Sequence, residues 1–120
     1  MNTTASAALP KTGGSLTGAT NLTISQAANT QFSIVNNSGG GAAHASLKIQ
    51  TGGAASGDPF LYISNEVQIF SVGIDNSDSD KFKISDNATL GTNDRFVIDA
   101  SGNVGIGTAS PEIGTNQTSL

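Results

Sequence analysis

From residue 22 onward, apolar residues recur in pairs that are separated by a single residue, and the intervals are rich in Gly, Ser, Thr and Asn. An apolar residue at every second position is typical of a short β-strand with one buried face. Eight such units occur: Leu22–Ile24, Phe32–Ile34, Leu47–Ile49, Leu61–Ile63, Val67–Ile69, Phe82–Ile84, Phe96–Ile98 and Val104–Ile106. The intervals, such as 36–41 and 51–59, consist mostly of turn formers. The pattern therefore predicts an all-β chain of short antiparallel strands, with no convincing helix.

The last two units form the most distinctive stretch of the chain. Phe96 and Ile98 share one face of an extended segment, Val104 shares a face with Ile106 in the next, and Ala-Ser-Gly-Asn between them has turn chemistry. Gly residues at 105 and 107 alternate with the apolar residues, which leaves one side open to the close approach of another backbone. We expect a tight β-turn-β unit that takes part in assembly.

Two further patterns bear on the strands. Residues 80–84 and 94–98 are near copies 14 positions apart, which indicates an internal repeat. Between Val67 and Ile74 the apolar positions change parity, so we expect either a β-bulge or a central strand that is covered on both faces.

Composition limits what one chain can bury. The 120 residues are 12% charged and 5% aromatic, so they make one domain at most, with little material for an independent core. The regular apolar pairs argue against disorder. Three chains around a common axis would bury the second face of each strand and protect the strand edges. We therefore expect a homotrimer built as a β-sandwich, a β-prism or an intertwined fibre.

Charge and residue types exclude several classes of partner. A net charge of −4 with five Lys and Arg leaves no basic patch for nucleic acid. The chain has no cysteine, which rules out disulfides and thiolate metal sites. No stretch is apolar enough for a secretory signal or a membrane span, so we expect no membrane insertion. Residues 1–20 are small, polar and aperiodic, and we expect an extended arm there, a β-rich trimerising domain over 21–111 and a tail over 112–120.

Two motifs carry a resemblance to a known family. The stretch from Gly102 to Pro111 reads GNVGIGTASP and is similar to the GNVGIGT-x-SP element of tail fibres and tailspikes of tailed bacteriophages. The stretch from Leu9 to Ala19 reads LPKTGGSLTGA and resembles the LPK-x-GG-x-x-TG segment of phage tail-fibre proteins. In that family the first element often precedes a C-terminal autoprocessing chaperone domain, which we do not expect within these residues.

The resemblance implies a non-enzymatic structural protein of the virion, made in the host cytoplasm and displayed on the particle surface. It would be a trimeric projection, either a tail-fibre or spike segment or a capsid-decorating cement protein, that supports assembly and host attachment. The alternative is a carbohydrate-binding adhesin module that binds a host surface glycan. We expect the trimer core to contain Phe82, Ile84, Phe96, Ile98, Val104 and Ile106, with Lys83 and Ala100 on exposed faces.

The same resemblance assigns a role to the arm. Its motif contains Leu9, Pro10 and Leu16, and we expect these residues to attach the trimer to other virion proteins of the capsid, baseplate or tail.

Few residues suggest chemistry, and we expect no cofactor, metal or catalytic residue. Asn76-x-Asp78-x-Asp80 has the spacing of a calcium loop, but Lys81 stands where the loop needs Gly and no Glu closes the pattern, which favours a solvated hairpin tip. His44 is the only histidine, and a surface position is favoured over a threefold metal site. Only Glu66, near Tyr62, combines a carboxylate with an aromatic residue in a mainly apolar stretch, which is a weak basis for glycoside hydrolysis.

Overall fold

The computed structural model describes residues 17–19, 21, 23–25 and 27–111. The chain divides into two units, residues 1–43 and 44–120, and every strand lies in the second. The five strands are β1 (Phe60–Ser64), β2 (Ile69–Asp75), β3 (Lys81–Ser85), β4 (Asp94–Ile98) and β5 (Val104–Ile106). They form one antiparallel sheet in the order β1-β2-β3-β4-β5, so each strand pairs with its neighbours in sequence. The prediction of a short-stranded antiparallel all-β chain is confirmed.

Short polar turns connect the strands. Between β1 and β2, the side chain of Asn65 accepts hydrogen bonds from the amides of Val67 and Gln68. A three-residue 3-10 turn, Asn76–Asp78, joins β2 to β3. Between β4 and β5, Asp99 accepts from two amides of the turn. In the described part of the chain, no helix has the length and apolar character needed to cross a bilayer.

The predicted β-turn-β unit is present as β4 and β5. Phe96 pairs with Ile106 and Ile98 pairs with Val104, so the four apolar side chains share one face of the sheet. The two near-copy segments are the neighbouring strands β3 and β4, in which Phe82 pairs with Ile98. An apolar residue at alternate positions was therefore sufficient to find both strands and the face that they share.

Two of the eight predicted strands, Phe32–Ile34 and Leu47–Ile49, are not strands in this structure, since the first strand among the described residues is β1. Of the unit Leu22–Ile24, Leu22 lies outside the described residues. Alternation of apolar residues defines which side chains share a face, but a strand also requires a partner that satisfies its backbone N–H and C=O groups. No described strand pairs with residues 32–34 or 47–49.

The change of parity near Val67 predicts a β-bulge or a central strand that is covered on both faces. β2 does lie between β1 and β3, but Phe70 and Ile74 are exposed on one of its faces, and the predicted bulge is not at this place. Val67 lies in the turn before β2, where it is 91% exposed, and β2 pairs with β1 without a shift of register. The apolar positions change from odd to even residue numbers at the border between the turn and the strand. The sheet does contain an irregularity, but it lies between Ile84 and Ser85, where β3 pairs with β4.

The two faces of the sheet differ in chemistry. Gly73, Lys83, Val97 and Gly105 form a row across four strands on one face, as their cross-strand pairing shows. Ser71 and Ser85 lie on the same face, and both are fully buried. We call this side the covered face, because the loop over residues 86–93 and the segment over residues 107–111 lie on it.

Hydrogen bonds and close contacts hold these coverings in place. The hydroxyl of Ser71 donates to the carbonyl oxygen of Asn87 at 2.7 Å, and the amide of Gly91 donates to the hydroxyl of Ser85 at 2.9 Å. A side chain on Gly105 would meet Thr108 at 2.8 Å and Pro111 at 3.2 Å, so only glycine fits there. The close approach expected at this glycine is confirmed, and the approaching segment belongs to the same chain.

Candidate functional site

The other side of the sheet is an apolar surface, which we call the open face. Every side chain that the strand register places on it is hydrophobic. Its members are Leu61, Ile63, Phe70, Val72, Ile74, Phe82, Ile84, Phe96, Ile98, Val104 and Ile106. The six residues that the sequence assigns to a trimer core all belong to this set. The structure thus brings them together on one surface.

The open face is exposed to solvent in the single chain. Ile106 is 76% exposed, Val104 is 56% exposed, and even Phe82, which lies on the middle strand, is 37% exposed. Scattered apolar residues on a surface are ordinary, whereas a contiguous patch larger than a few hundred Å² marks an interaction site. Five adjacent strands at about 4.8 Å spacing make a patch of that order. The open face is therefore the strongest candidate for a functional surface among the described residues.

A charged cluster lies under the covered face, and its centre is Lys83 on β3. The Lys83 Nζ atom lies 2.9 Å from Asp75 Oδ2, 2.6 Å from Asp78 Oδ2 and 3.1 Å from Asp94 Oδ2. The side chains of Lys83, Asp75 and Asp94 are almost entirely buried. We call these four residues the Lys83 cluster. The expectation that Lys83 is exposed is wrong, because the residue is only 2% exposed.

Hydrogen bonds satisfy the polar atoms of this cluster. Asp75 caps the 3-10 turn by accepting from the amides of Ser77 and Asp78, both at 3.1 Å. Asp94 accepts from the hydroxyl of Ser85 at 2.6 Å. In the part of the chain that the structure describes, no buried side-chain nitrogen or oxygen lacks a hydrogen-bond partner. The cluster thus meets the condition under which buried charge is tolerated.

The environment shifts the ionisation of the cluster in both directions. Burial acts to lower the pKa of Lys83, but hydrogen bonds to Asp78, Asp75 and Asp94 outweigh it and raise that pKa. Burial acts to raise the pKa of Asp75, but hydrogen bonds from Lys83 and Ser77 lower it overall. Hydrogen bonds from Lys83 and Lys81 lower the pKa of Asp78. An ammonium group with three donors and three carboxylate partners stays protonated, so the cluster holds the strands together and offers no free nucleophile.

The residues with calcium-loop spacing have other partners. Asp78 pairs with Lys81 at 3.0 Å as well as with Lys83, and the side-chain amide of Asn76 donates to carbonyl oxygens of the loop before β1. Asp80 directly precedes β3, and Asp94 is the first residue of β4, so both lie at strand ends. Within the described ranges, no group of three or more His, Cys, Asp or Glu side chains is arranged to hold a metal ion.

The remaining residues that the sequence singles out lie outside the Lys83 cluster. His44 is exposed, as expected, and lies outside the strands. Tyr62 is half-exposed on β1, and Glu66 lies exposed in the following turn with a φ of 71°. Leu9, Pro10 and Leu16 of the predicted arm, and the tail over residues 112–120, lie outside the described residues.

Known proteins add no further constraint. No protein-family model, curated protein or solved structure matches this chain. The open face and the two sequence motifs are therefore the features that bear on function.

The Lys83 cluster is the feature that the sequence analysis missed. Lys83 stands between two apolar residues of β3, so alternation places it on the face opposite to the predicted core. The sequence alone therefore predicts that Lys83 is exposed to solvent. The usable signal was the presence of acidic residues at the ends of both neighbouring strands, Asp75 on β2 and Asp94 on β4, since antiparallel pairing brings these ends close to the middle strand.

Proposed function

We propose that this chain is a non-enzymatic structural protein of a tailed-bacteriophage virion, in which three copies form a β-rich surface projection. The projection is a tail-fibre or spike segment, or a capsid-decorating protein, and it supports particle assembly and host attachment. The observation that carries the proposal is the open face, on which all six predicted core residues lie together in one chain, with Phe82, Val104 and Ile106 exposed. The two motifs at residues 9–19 and 102–111 support the phage assignment.

Self-association is favoured because the open face has the chemistry of a core and carries no charge. A copy of the same surface is an apolar partner that brings no unpaired charge against it. Three sheets whose open faces point toward one axis would form a β-prism, with the covered faces and their charged clusters outside. Cyclic symmetry closes such an assembly without leaving a free face.

Sedimentation velocity at micromolar concentration tests the assembly state directly. We expect a single species with the mass of three chains, and circular dichroism should show β-structure in the same sample. A folded monomer would overturn the proposal, because it would show that the open face tolerates water.

Two further measurements address the role in the particle. Labelled antibody on intact particles should mark the tail, the baseplate or the capsid surface, and it separates a fibre segment from a decoration protein. A glycan array with the purified protein tests the adhesin alternative. Specific binding of a glycan would favour an adhesin module, whereas absence of binding together with a trimer would favour a structural role.

A further inference from the structure

The edge strand β1 has an unprotected outer edge that adjoins the open face. β1 is the outermost strand of the sheet, and residues Leu61 to Ser64 are all exposed. The strand has the sequence FLYIS, with neither charge nor proline. Proteins protect such an edge with charges, prolines or a covering segment, because its unpaired backbone groups accept another strand. Leu61 and Ile63 also belong to the open face, so the edge and the face are continuous.

The chain contains a segment with the complementary pattern. Residues 45–50 read ASLKIQ, in which Leu47 and Ile49 alternate with polar residues. Leu47 is 62% exposed, and the segment belongs to no strand. It has the alternation of a half-buried strand and lacks a strand partner in its own chain.

The end of the segment lies close to the turn between β2 and β3. Ile49 and Thr51 line a shallow depression together with Ile74 and Asp80, which flank that turn, and with Pro59, which directly precedes β1. The following loop is fixed at the same place by Asn76. Among the described residues β1 pairs with β2 alone, so its outer edge is paired with no described strand.

The open face is smaller than the surface that each partner buries in a standard stable interface. Five strands at about 4.8 Å spacing, with three to seven residues each at about 3.3 Å, make a flat projection of roughly 400 Å². A standard stable interface buries about 800 Å² of accessible surface on each partner. A sixth strand at β1 would place Leu47 and Ile49 beside Leu61 and Ile63 and so enlarge the apolar surface.

From these observations we infer that residues 45–50 of one copy add as a strand to the free edge of β1 in a second copy. Leu47 and Ile49 join the open face of the recipient, and Lys48 points to the same side as Tyr62. Each chain donates its segment to one neighbour and receives one from the other, which closes a ring of three. The inference rests on the proposed self-assembly, which it deepens by naming the donated strand and the edge that receives it.

Engineered cysteines test this pairing, because the natural chain has none. The variant Lys48→Cys/Tyr62→Cys places one thiol in the donated segment and one in the middle of β1. Residues opposite each other on paired strands have Cβ atoms about 5 Å apart, and diagonal neighbours about 7–8 Å, so a short bismaleimide reagent tolerates a slip in register. The control is Lys48→Cys/Ser101→Cys, since Ser101 is exposed in the turn at the opposite edge of the sheet.

We expect crosslinked dimers and trimers on denaturing gels, at least tenfold more abundant for the first pair than for the control. Sedimentation of the same samples distinguishes the possible failures. A trimer without preferential interchain crosslinking would overturn the inference of a donated strand and leave the proposed function in place. Crosslinking within one chain would have the same consequence. A folded monomer would overturn both.

Hydrogen exchange on the natural protein gives an independent measurement. Amides of residues 45–50 should exchange at least a hundredfold more slowly in the assembled protein than in an isolated peptide of the same sequence, because a paired strand protects its amides. Exchange of these amides at the peptide rate in the trimer would contradict the inference.

Discussion

Replacing Lys83 by methionine tests the structural role assigned to the Lys83 cluster. Methionine keeps the length of the side chain and removes its charge. The change leaves Asp75 and Asp94 buried without their cation, and Asp78 retains its contact with Lys81. Removing one partner of a buried ion pair costs about 3–5 kcal/mol, since the remaining charge is neither solvated nor paired.

That cost is large beside the free energy of unfolding of a typical small domain, about 5–15 kcal/mol. With a denaturant dependence of about 1.5 kcal/mol per molar urea, it moves the unfolding midpoint of Lys83→Met down by about 2 M or more. The measurement is urea denaturation followed by circular dichroism, at one fixed protein concentration because association contributes to stability. A decrease below about 0.5 M would refute the reasoning, because it would mean that the carboxylates lose nothing when the ammonium is removed.

An exposed ion pair supplies the matched control. Arg95 binds Asp86 at 2.7 Å, and the side chain of Arg95 is 59% exposed. Ion pairs in contact with solvent contribute about 0–1 kcal/mol, so Arg95→Met should leave the midpoint nearly unchanged. Equal effects of the two substitutions would show that burial is not the source of the difference.

The pH dependence of the stability of Lys83→Met gives a second test of the Lys83 cluster. In the natural protein the pKa values of Asp75 and Asp78 are lowered, so their contribution is present above about pH 4 and is lost as the pH falls through the lowered values. The pKa of Lys83 is raised, so its contribution is present below about pH 10 and is lost as the pH rises through the raised value. In Lys83→Met the ammonium no longer offsets the burial of Asp75, so the pKa of Asp75 rises and stability should increase from pH 7 to pH 5. Parallel pH profiles of the two proteins would contradict the assignment.

Three further outcomes follow from the surfaces and the arm. Ile98→Asp places a charge on the open face of every copy and should abolish the trimer in sizing chromatography, whereas Ala100→Asp in the exposed turn should not. A stable trimer of Ile98→Asp would show that the open face lies outside the interface. Gly105→Ala meets Thr108 and should lower the thermal midpoint through about 1–3 kcal/mol of overpacking, while Gly57→Ala enters open space and should be neutral; equal melting curves would contradict the contact. Deletion of residues 1–20 should leave the trimer folded and stop its incorporation into particles, and normal incorporation would place the attachment elsewhere.

The pattern of apolar residues predicted the strands of the second unit and the face that they share, because alternation with period two is a property of the strand itself. It identified the β-turn-β unit of Phe96–Ile98 and Val104–Ile106, and the structure adds the register, in which Phe96 pairs with Ile106. It overpredicted strands at Phe32–Ile34 and Leu47–Ile49, since pairing depends on a partner that the local sequence does not contain.

The covered face escaped prediction for a different reason. Lys83 and Asp94 are residue types typical of a solvated surface, yet both side chains are buried, and residues 86–93 fold over the face on which they lie. The course of that loop is set by hydrogen bonds to Ser71 and Ser85, two small polar residues with no distinctive spacing. Burial of a polar residue by a loop is a tertiary event, and it leaves no periodic trace in the sequence.

The way in which Asn76 holds the loop before β1 has a consequence for sequence variation. Its side-chain amide donates to the carbonyl oxygens of Gly53, Ala54 and Ser56, at 3.4, 3.0 and 2.9 Å. Every residue has a backbone carbonyl, so the hydrogen bonds from Asn76 do not depend on which side chains occupy positions 54–56. These positions are free to diversify, or to display a foreign peptide, while a single asparagine beyond the strand keeps the shape of the loop.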